Sequence, residues 1–324
     1  MKRYLCLVGL NCLVLFGVMY SFFAEKQVAY ELNYRFMLIY PQVWKEQNYE
    51  MPDMFELERA NIKCVSFGST SDDEQIEALR KAVLANVDGI ITVGTGNSRE
   101  LADLVNEAEK EGIPVVLVDS DLRDTNRSGY VGADNCRAGQ LAARDMVEAT
   151  DGQANVGIIV SRLDNTSQAD RVAGFERVLK EQENMKILEV LECEEDRTKI
   201  RRLIGNMLQE HPELDAIYCT ESVSSDMAGE ILQELRCGPE QVKVVCSDLS
   251  DHIWEYIQEG RYYSAVVQNI YEQIEEAVVC LKEYINNGVN APDLVYTGIT
   301  SVKKGFDYER WRAAGLDGEA WKSE

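Results

Sequence analysis

Two aspartates stand at the ends of short apolar runs that share one sequence pattern. Asp119 closes the run 114–119, which follows residues 87–93 after a helical segment, and Asp248 closes the run 243–248, which follows residues 214–219 in the same way. Ligands of open α/β sheets bind outside the carboxyl ends of the strands, so both carboxylates are predicted to face one crevice. They could accept hydrogen bonds from a polar ligand there, or they could cap turns and following helices. Spacing alone leaves these two interpretations open.

Enzymatic chemistry has little support in the sequence. Paired carboxylates can hydrolyse glycosides, so Asp119 and Asp248 keep that possibility open. The sequence contains no G-x-S-x-G elbow and no P-loop, and its two histidines, His211 and His252, are not at metal-ligand spacing. We therefore predict a protein that binds its ligand without catalysis, and that needs no metal and no cofactor.

Short apolar runs alternate with amphipathic segments from residue 36 onward. The runs predicted as strands are 36–40, 62–67, 89–93, 115–118, 156–160, 187–191, 216–219, 242–246 and 264–267. Helical patterns lie between most of them, at 74–86, 99–111, 139–149, 171–182, 199–210 and 227–235. This alternation is typical of parallel sheets with helices on both faces. The repeated pattern around the two aspartates indicates two lobes of similar build.

Composition narrows the class of protein. The chain has 324 residues, about the length of two domains, and its 45% hydrophobic content is enough to bury a core. A formal net charge of −23 repels phosphate backbones, which argues against nucleic acid as a partner. The nine cysteines include no C-x-x-C pair, and Cys64, Cys219 and Cys246 sit in strand-like runs. Buried thiols are therefore favoured over a disulfide framework.

The N-terminus carries an export signal. Residues 4–24 form an uncharged run that follows Lys2 and Arg3. About 20 apolar residues cross a bilayer as a helix, and its positive end stays in the cytoplasm, so the rest of the chain is predicted to be extracytoplasmic, in the cell envelope. An uncleaved anchor in the cytoplasmic membrane is favoured over a cleaved signal peptide, because Phe22 stands where cleavage needs a small residue. Secretion after cleavage, or a lipid on Cys12, are the alternatives.

Five motifs in order resemble one known family. They are GIPVVLVDS at 112–120, YVGADNCRAG at 130–139, DRVAGF at 170–175, CSD at 246–248 and VQNIY at 267–271. Together they resemble the sugar-binding branch of the type I periplasmic binding proteins, the ribose- and galactose-binding-like proteins, which are related to the effector domains of LacI-type repressors. The resemblance runs from about residue 36 to residue 302. It implies an α/β two-lobed clamshell, each lobe a parallel sheet flanked by helices, that closes over a small polar ligand.

The resemblance implies a ring of polar groups with an aromatic face. Asp119, Asp248 and Gln268 would bind ligand hydroxyls, while Arg171 would donate a fork of N–H groups to adjacent oxygens. An aromatic side chain suits the C–H face of a sugar ring, although Trp44 could equally pack its helix onto the sheet. The complete set of predicted ligand-binding residues is Tyr40, Trp44, Asp119, Asn135, Arg171, Glu221, Asp248 and Gln268.

Four positions depart from the family's usual pattern. Ser120 follows Asp119 where arginine is common, and Glu221 occupies the place of an asparagine. Arg197 lies near the place of an aromatic residue, and Gly94 stands where a hydrogen-bond donor is sometimes found. A site built for particular hydroxyls rejects others by leaving buried groups unpaired, so these changes leave the identity of the sugar open.

The resemblance and the apolar run together predict the domain boundaries. Residues 1–24 are the signal peptide or membrane anchor, and residues 25–35 are a spacer. The N-terminal lobe comprises residues 36–133 and 268–290, and the C-terminal lobe comprises residues 134–267 and 291–305. Residues 306–324 are a C-terminal tail.

Two functions agree with this organisation. In the first, the protein binds a sugar or similar polyol between its lobes and delivers it to an ABC importer. In the second, it is a membrane-tethered receptor that reports the sugar to a sensor histidine kinase. A LacI-type repressor is disfavoured, because such a protein needs a basic helix-turn-helix where this chain has its uncharged run. The predicted partners are therefore a sugar or polyol and either an ABC permease or a sensor kinase.

Overall fold

The computed structural model describes residues 34–42, 44, 62–69, 71–95, 99–288 and 293–308. The predicted anchor or signal segment, most of the spacer and most of the C-terminal tail lie outside these residues. Within the described part of the chain, no helix is both long and apolar enough to span a membrane.

The first lobe is built on a six-stranded sheet in which all neighbouring strands are parallel. Its strands run in the order β11-β5-β4-β3-β1-β2. They are β1 (Tyr34–Pro41), β2 (Ile62–Ser69), β3 (Gly89–Val93), β4 (Val115–Val118), β5 (Gly129–Ala133) and β11 (Leu294–Thr297). Helices α1 (Asp72–Leu84) and α2 (Arg99–Lys110) contribute to the hydrophobic core on one face, and α8 (Ile270–Asn287) contributes to the core on the other.

The second lobe repeats this plan with one antiparallel edge strand. Its sheet has the order β12-β10-β9-β8-β6-β7, and only β12 runs antiparallel to its neighbour. The strands are β6 (Gln153–Val160), β7 (Asn184–Glu192), β8 (Ala216–Cys219), β9 (Lys243–Ser247), β10 (Ser264–Gln268) and β12 (Ile299–Lys303). Its helices are α3 (Asn135–Ala149), α4 (Thr166–Leu179), α5 (Arg197–Glu210), α6 (Ser222–Glu234) and α7 (Asp251–Gln258).

Burial on both faces explains why the central strands read as continuous apolar runs. Helices α3 and α4 form the core on one face of the second sheet, and α5, α6 and α7 form the core on the other. The predicted fold class is confirmed: two parallel-dominated sheets, each flanked by helices, form two lobes. Cys64, Cys219 and Cys246 are buried and free, as predicted.

The chain crosses between the lobes at three places in the described structure. It crosses between β5 and α3, between β10 and α8, and at Gly298 between β11 and β12. The last crossing corrects the predicted boundary, because we placed residues 291–305 in the second lobe. Leu294–Thr297 instead pairs with β5 in the first sheet, and a single residue separates it from β12. Both edge strands are partly exposed, so neither carries the continuous apolar run that indicates a buried strand.

Both ends of the described chain also differ from the prediction. Strand β1 begins at Tyr34, inside the predicted spacer, because Tyr34 pairs with the next strand and is buried in the core. The predicted C-terminal tail begins as part of the second lobe. Tyr308 stacks on Trp254 with ring centroids 5.0 Å apart, and its hydroxyl donates to Asp251 at 2.7 Å.

Two glycines let helices α3 and α4 approach each other at backbone contact. A Cβ atom on Gly139 would lie 1.9 Å from the carbonyl oxygen of Arg171, and one on Gly174 would lie 2.0 Å from the carbonyl oxygen of Cys136. Backbone cannot move aside as a flexible side chain can, so any side chain here would push the helices apart. This contact fixes α4, which carries Arg171.

We predict that Gly174→Ala lowers the free energy of unfolding by about 1–3 kcal/mol, the usual cost of overpacking a core. The matched control is Gly205→Ala in α5, where nothing lies within 4 Å of the added Cβ. That change should stabilise the protein by about 0.5–1 kcal/mol, because alanine favours a helix over glycine. Urea unfolding of the two variants measures both values. Equal stabilities would contradict the close helix contact.

Candidate functional site

A cavity of about 860 Å³ lies between the lobes, at the carboxyl ends of the parallel strands. Most of its wall is polar and comes from the ends of strands and the starts of the helices that follow them. The lining includes Trp44, Gln75, Asp119, Gln168, Arg171, Glu195, Glu221, Asp248 and Gln268. The cavity therefore brings together six of the eight predicted binding residues.

Asp119 and Asp248 occupy equivalent positions on the two walls. Each follows a buried strand with its backbone in the left-handed region, at φ values of 61° and 66°. Each donates its backbone N–H to the neighbouring strand, Asp119 to Val131 at 3.2 Å and Asp248 to Val266 at 2.9 Å. Aspartate tolerates this conformation better than most residues. The sequence pattern that the two aspartates share thus corresponds to the same local structure in both lobes, and both carboxylates line the cavity.

Gln268 joins the two lobes inside the cavity. Its Nε2 donates to Asp119 Oδ1 at 2.8 Å, and its own Oε1 accepts from Gln273 Nε2 at 3.0 Å. Gln268 belongs to the second sheet and Asp119 follows a strand of the first, so this hydrogen bond crosses the cleft. Gln273 lies on α8 and fixes which way the amide of Gln268 points.

Arg171 is 4% exposed and reaches the cavity from α4. Its Nε donates to Asn135 Oδ1 at 2.9 Å, and its Nη1 donates to the carbonyl oxygen of Thr220 at 2.6 Å. Two neutral acceptors therefore hold the guanidinium in place. Burial raises the pKa of Asp119. The charge of Arg171 lowers this pKa and repulsion from Asp248 raises it, so that it stays above its usual value.

Asn135 does not lie on the wall of the central cavity. It lines a separate cavity of about 300 Å³, together with Tyr130, Asp170 and Tyr296. Its side-chain oxygen is occupied by Arg171, and its Nδ2 lies 3.3 Å from the carbonyl oxygen of Ala133. The sequence placed Asn135 among the groups that touch the ligand. In the structure it orients Arg171 instead.

The two predicted aromatics stack on each other. The rings of Tyr40 and Trp44 lie with centroids 6.3 Å apart and planes 15° from parallel. Trp44 lines the cavity, whereas Tyr40 is 1% exposed and lies behind it, outside the cavity wall. Trp44 thus presents a ring at the cavity while it also packs on the core, so both interpretations of this residue agree with its position.

Glu221 lines the cavity and caps helix α6 with the same carboxylate. Its Oε2 accepts from the N–H of Val223 at 2.6 Å, and its Oε1 accepts from the N–H of Ser224 at 2.7 Å. The thiol of Cys193 lies 3.6 Å from Oε1. Burial raises the pKa of Glu221, the helix N–H groups lower it, and the nearby Asp248 raises it further. A carboxylate in place of the family's amide therefore has a local reason in this chain, because it satisfies two helix N–H groups.

Sequence reasoning missed many polar side chains on the cavity wall, among them Gln75, Gln168 and Glu195. Gln75 is anchored to Thr92 Oγ1 at 3.0 Å and to the carbonyl oxygen of Val93 at 2.6 Å. Gln168 accepts from Thr220 Oγ1 at 2.6 Å. Gln75 and Gln168 both lie near the start of a helix that follows a strand. That position in the sequence is the signal that could have identified them as cavity residues. Glu195 lies in the turn between β7 and α5.

The pKa of Glu195 is affected by the charges of the other acidic residues that line the cavity. Loss of solvent at the cavity wall raises its pKa, and repulsion from Glu221, Asp119 and Asp248 raises it further, to about 7. Its backbone φ is 57°, and that of Glu194 is 55°. Two successive left-handed residues turn the chain so that Glu195 lines the cavity.

A profile of the family described as "Periplasmic binding protein domain" matches residues 42–288. The chain belongs to this family. The predicted relationship to type I periplasmic binding proteins is thereby confirmed, and the family's location agrees with the predicted extracytoplasmic one.

Curated relatives in this family are named as binding proteins. The D-ribose/D-allose-binding protein of Pseudomonas aeruginosa is 26% identical over 226 residues, which is 68% of either chain. The D-apiose import binding protein of Paraburkholderia graminis is 23% identical over 242 residues, which is 72% of this chain and 77% of the relative. Neither name describes an enzyme.

Solved structures share the fold over nearly their whole length. The glucose-galactose binding protein GanP of Geobacillus stearothermophilus is 27% identical, with a TM-score of 0.75 over 84% of this chain and 98% of GanP. A chain of the XylFII-LytSN complex is 24% identical, with a TM-score of 0.69 over 84% of this chain and 98% of that chain.

We predict that the raised pKa of Glu195 makes the protein less stable at pH 8 than at pH 6. The folded state holds a proton on this carboxyl at pH values where the unfolded chain has released it, so stability falls as the pH rises from about 4.5 through 7. Glu221 acts in the same direction. Thermal unfolding at both pH values should show a smaller difference in Tm for Glu195→Gln than for the wild type. A matched change at Glu183, a glutamate that does not line the cavity, should leave the difference unaltered for Glu183→Gln.

Proposed function

We propose that the protein binds a sugar or similar polyol between its two lobes and delivers it to an ABC importer. One observation carries this proposal: Asp119 and Asp248, built alike on opposite lobes, both face a polar cavity that also holds Arg171 and Gln268. Carboxylates accept hydrogen bonds from hydroxyls, while guanidinium and amide groups donate to oxygens. Groups of this kind on both walls suit a ligand that carries hydroxyls all around its edge.

The residues of the site take two kinds of role in this proposal. Asp119, Asp248, Arg171 and Gln268 contact the ligand, and Trp44 covers one face of its ring. The others act through these residues: Tyr40 supports Trp44, Asn135 orients Arg171, and Glu221 fixes the start of α6 at the cavity wall.

Closure of the lobes is the proposed mechanism of recognition. Contacts between the lobes already exist at the cleft, since Ser120 Oγ donates to Asn165 Oδ1 at 2.6 Å and Asp121 N–H donates to Thr166 Oγ1 at 3.0 Å. A ligand held by both walls adds to these contacts only when the lobes are closed, so it shifts the population toward that state. The partner then recognises the closed protein.

The names of relatives support both the ligand class and the importer. The two curated relatives are a ribose- and allose-binding protein and an apiose import protein, and GanP binds glucose and galactose by its name. These sugars are neutral pentoses and hexoses. A cavity of about 860 Å³ has room for a ligand of this size with several waters.

The second candidate is a tethered receptor that reports the sugar to a sensor histidine kinase. Two observations favour it. The uncharged run 4–24 suits an uncleaved anchor that would keep the protein beside a membrane partner. A protein of the same fold, XylFII, is found in a complex with LytSN, so this fold can present a surface to a protein partner.

The full-length protein, held in a mild detergent, is the sample for a thermal-shift screen against pentoses, hexoses and polyols. A ligand at about 100 times its dissociation constant adds roughly 2.7 kcal/mol to the stability of the folded state, which raises Tm visibly. A shift with any of these compounds supports the proposal. A well-folded protein that responds to none of them contradicts it.

We predict that Arg171→Ala weakens binding of the sugar found in that screen by at least about 30-fold, since loss of a buried charged donor costs 2 kcal/mol or more. Arg177→Ala is the matched control, because Arg177 lies on the same helix and is exposed. Isothermal titration of both variants gives the affinities, and their unfolding curves show whether either change affects the fold. Equal affinities for a folded Arg171→Ala protein and the wild type would remove Arg171 from the site.

Deletion of the gene in its own cell distinguishes the two partners. We predict that uptake of the labelled sugar falls at least about tenfold while transcription that responds to the sugar persists, because an importer without its binding protein loses its supply of closed complex. The measurement is uptake and transcript level in the same culture. Unchanged uptake with a lost transcriptional response would favour the receptor.

A further inference from the structure

A continuous strip of the second lobe lies against the first lobe. The strip comprises residues 162–170, which form the end of the loop after β6 and the start of α4. Four side chains along it contact the first lobe: Arg162, Asn165, Thr166 and Asp170. Their partners lie at the start of α1 and in the loop 120–123 that follows β4. We call this set of contacts between the lobes the clasp.

Hydrogen bonds between buried groups form the centre of the clasp. Ser120 Oγ donates to Asn165 Oδ1 at 2.6 Å. Thr166 Oγ1 accepts from the N–H of Asp121 at 3.0 Å and donates to the carbonyl oxygen of the same aspartate at 2.8 Å. One hydroxyl of the second lobe thus serves both backbone groups of a residue of the first. Ser120 is 0% exposed and Asp121 is 3% exposed, so solvent is nearly excluded from both while the lobes are in contact.

An ion pair lies at each end of the clasp. Arg162 pairs with Asp72 at 3.3 Å, and Arg123 pairs with Asp170. These four side chains are between 31% and 59% exposed, and ion pairs with this exposure add little to stability. The buried hydrogen bonds at the centre therefore contribute most of the free energy of the clasp.

Contacts within each lobe hold both halves of the clasp in place. On the first lobe, the carboxylate of Asp121 accepts from Arg127 Nη2 at 2.8 Å. The carbonyl oxygen of Ser120 accepts from the N–H of Gly94 at 2.8 Å, and a Cβ at position 94 would lie 2.6 Å from that oxygen. On the second lobe, the close approach of α3 fixes α4. Surfaces that are formed in advance lose little conformational freedom when they meet.

The clasp and the cavity are built from the same two segments. Asp119 lines the cavity, and Ser120, the next residue, belongs to the clasp. Gln168 and Arg171 line the cavity from α4, and the start of that helix also carries the clasp. Formation of the clasp therefore brings the cavity groups of both walls to their positions around the ligand. Every contact of the clasp joins two protein groups, so none of them requires a ligand.

We propose that the clasp closes the lobes in part of the protein before any ligand binds, and that it thereby sets the affinity for the ligand. A contact that requires no ligand favours the closed state in the free protein as well as in the complex. The measured affinity of a ligand that needs the closed state is its intrinsic affinity multiplied by the fraction of closed protein. The clasp therefore scales the affinity for every ligand of this cavity by one factor. This proposal rests on the closure mechanism of the proposed function and deepens it.

Thr166→Val tests the centre of the clasp, because valine nearly keeps the shape of threonine and removes its hydroxyl. In the closed state this change leaves both backbone groups of Asp121 without that partner, whereas in the open state water takes its place. We expect the ratio of closed to open protein to fall about five- to tenfold. Thr166→Ser keeps a hydroxyl and should restore most of the ratio. Thr150→Val is the matched control, since the Thr150 hydroxyl donates to the carbonyl oxygen of Met146 at 2.8 Å within the second lobe.

Double electron–electron resonance on the full-length protein in detergent measures this ratio without a ligand. Spin labels on unnatural amino acids at Glu77 of α1 and Thr198 of α5, both exposed, report the distance between the lobes. The closed distance is the one that the structure sets between these two positions. We expect it in about a tenth or more of the free wild-type molecules, and in few molecules of Thr166→Val. A free wild type with no closed molecules overturns the proposal, as does a Thr166→Val protein with an unchanged ratio.

Isothermal titration with a sugar found in the thermal-shift screen gives a second measure. Thr166→Val should weaken binding by the factor by which it lowers the ratio of closed to open protein, and Thr150→Val should bind like the wild type. Weaker binding with an unchanged ratio would give Thr166 a structural role only and overturn the proposal. If no sugar binds, but Thr166→Val still removes closed molecules, the proposed function fails and the clasp remains.

Discussion

The central cavity depends on the geometry of parallel sheets, whose strands all end at one edge. When a chain builds two such sheets side by side, the residues that follow the strands face each other across a gap. Asp119 and Asp248 stand at this edge on their two lobes, and each leaves its strand through a left-handed turn that brings the carboxylate to the cavity. The backbone N–H of each aspartate stays bound to the neighbouring strand. Rigid strands thus set the distance between the groups that meet the ligand.

The helix starts that follow these strands form the rest of the wall, and their capping groups serve the site as well as the helix. Glu221 caps α6 and lines the cavity, and Asn165 caps α4 while it accepts from Ser120 of the other lobe. The orphan N–H groups of a helix start need acceptors in any case. Placing these caps at the cleft therefore costs the fold little, and it couples the start of a helix to the position of the lobes.

Much of this architecture could be predicted from the sequence, because its central elements obey simple patterns. Strands β3, β4 and β8 are short apolar runs between helices and coincide with the predicted bounds. Edge strands β11 and β12 could not be predicted, since a half-exposed strand of four or five residues carries no continuous apolar run. The lobe boundary near residue 291 was placed wrongly for this reason. Here pairing with β5, and not local sequence, decides which sheet a segment joins.

The site residues divide in a similar way. Asp119 and Asp248 could be predicted as cavity residues because each directly follows a buried parallel strand, and ligands bind at the carboxyl ends of such strands. The true position of Asn135 could not be found, since only the close approach of α3 and α4 at Gly139 and Gly174 brings Arg171 onto it. Sequence patterns report which element a residue belongs to, whereas tertiary packing decides what its side chain touches.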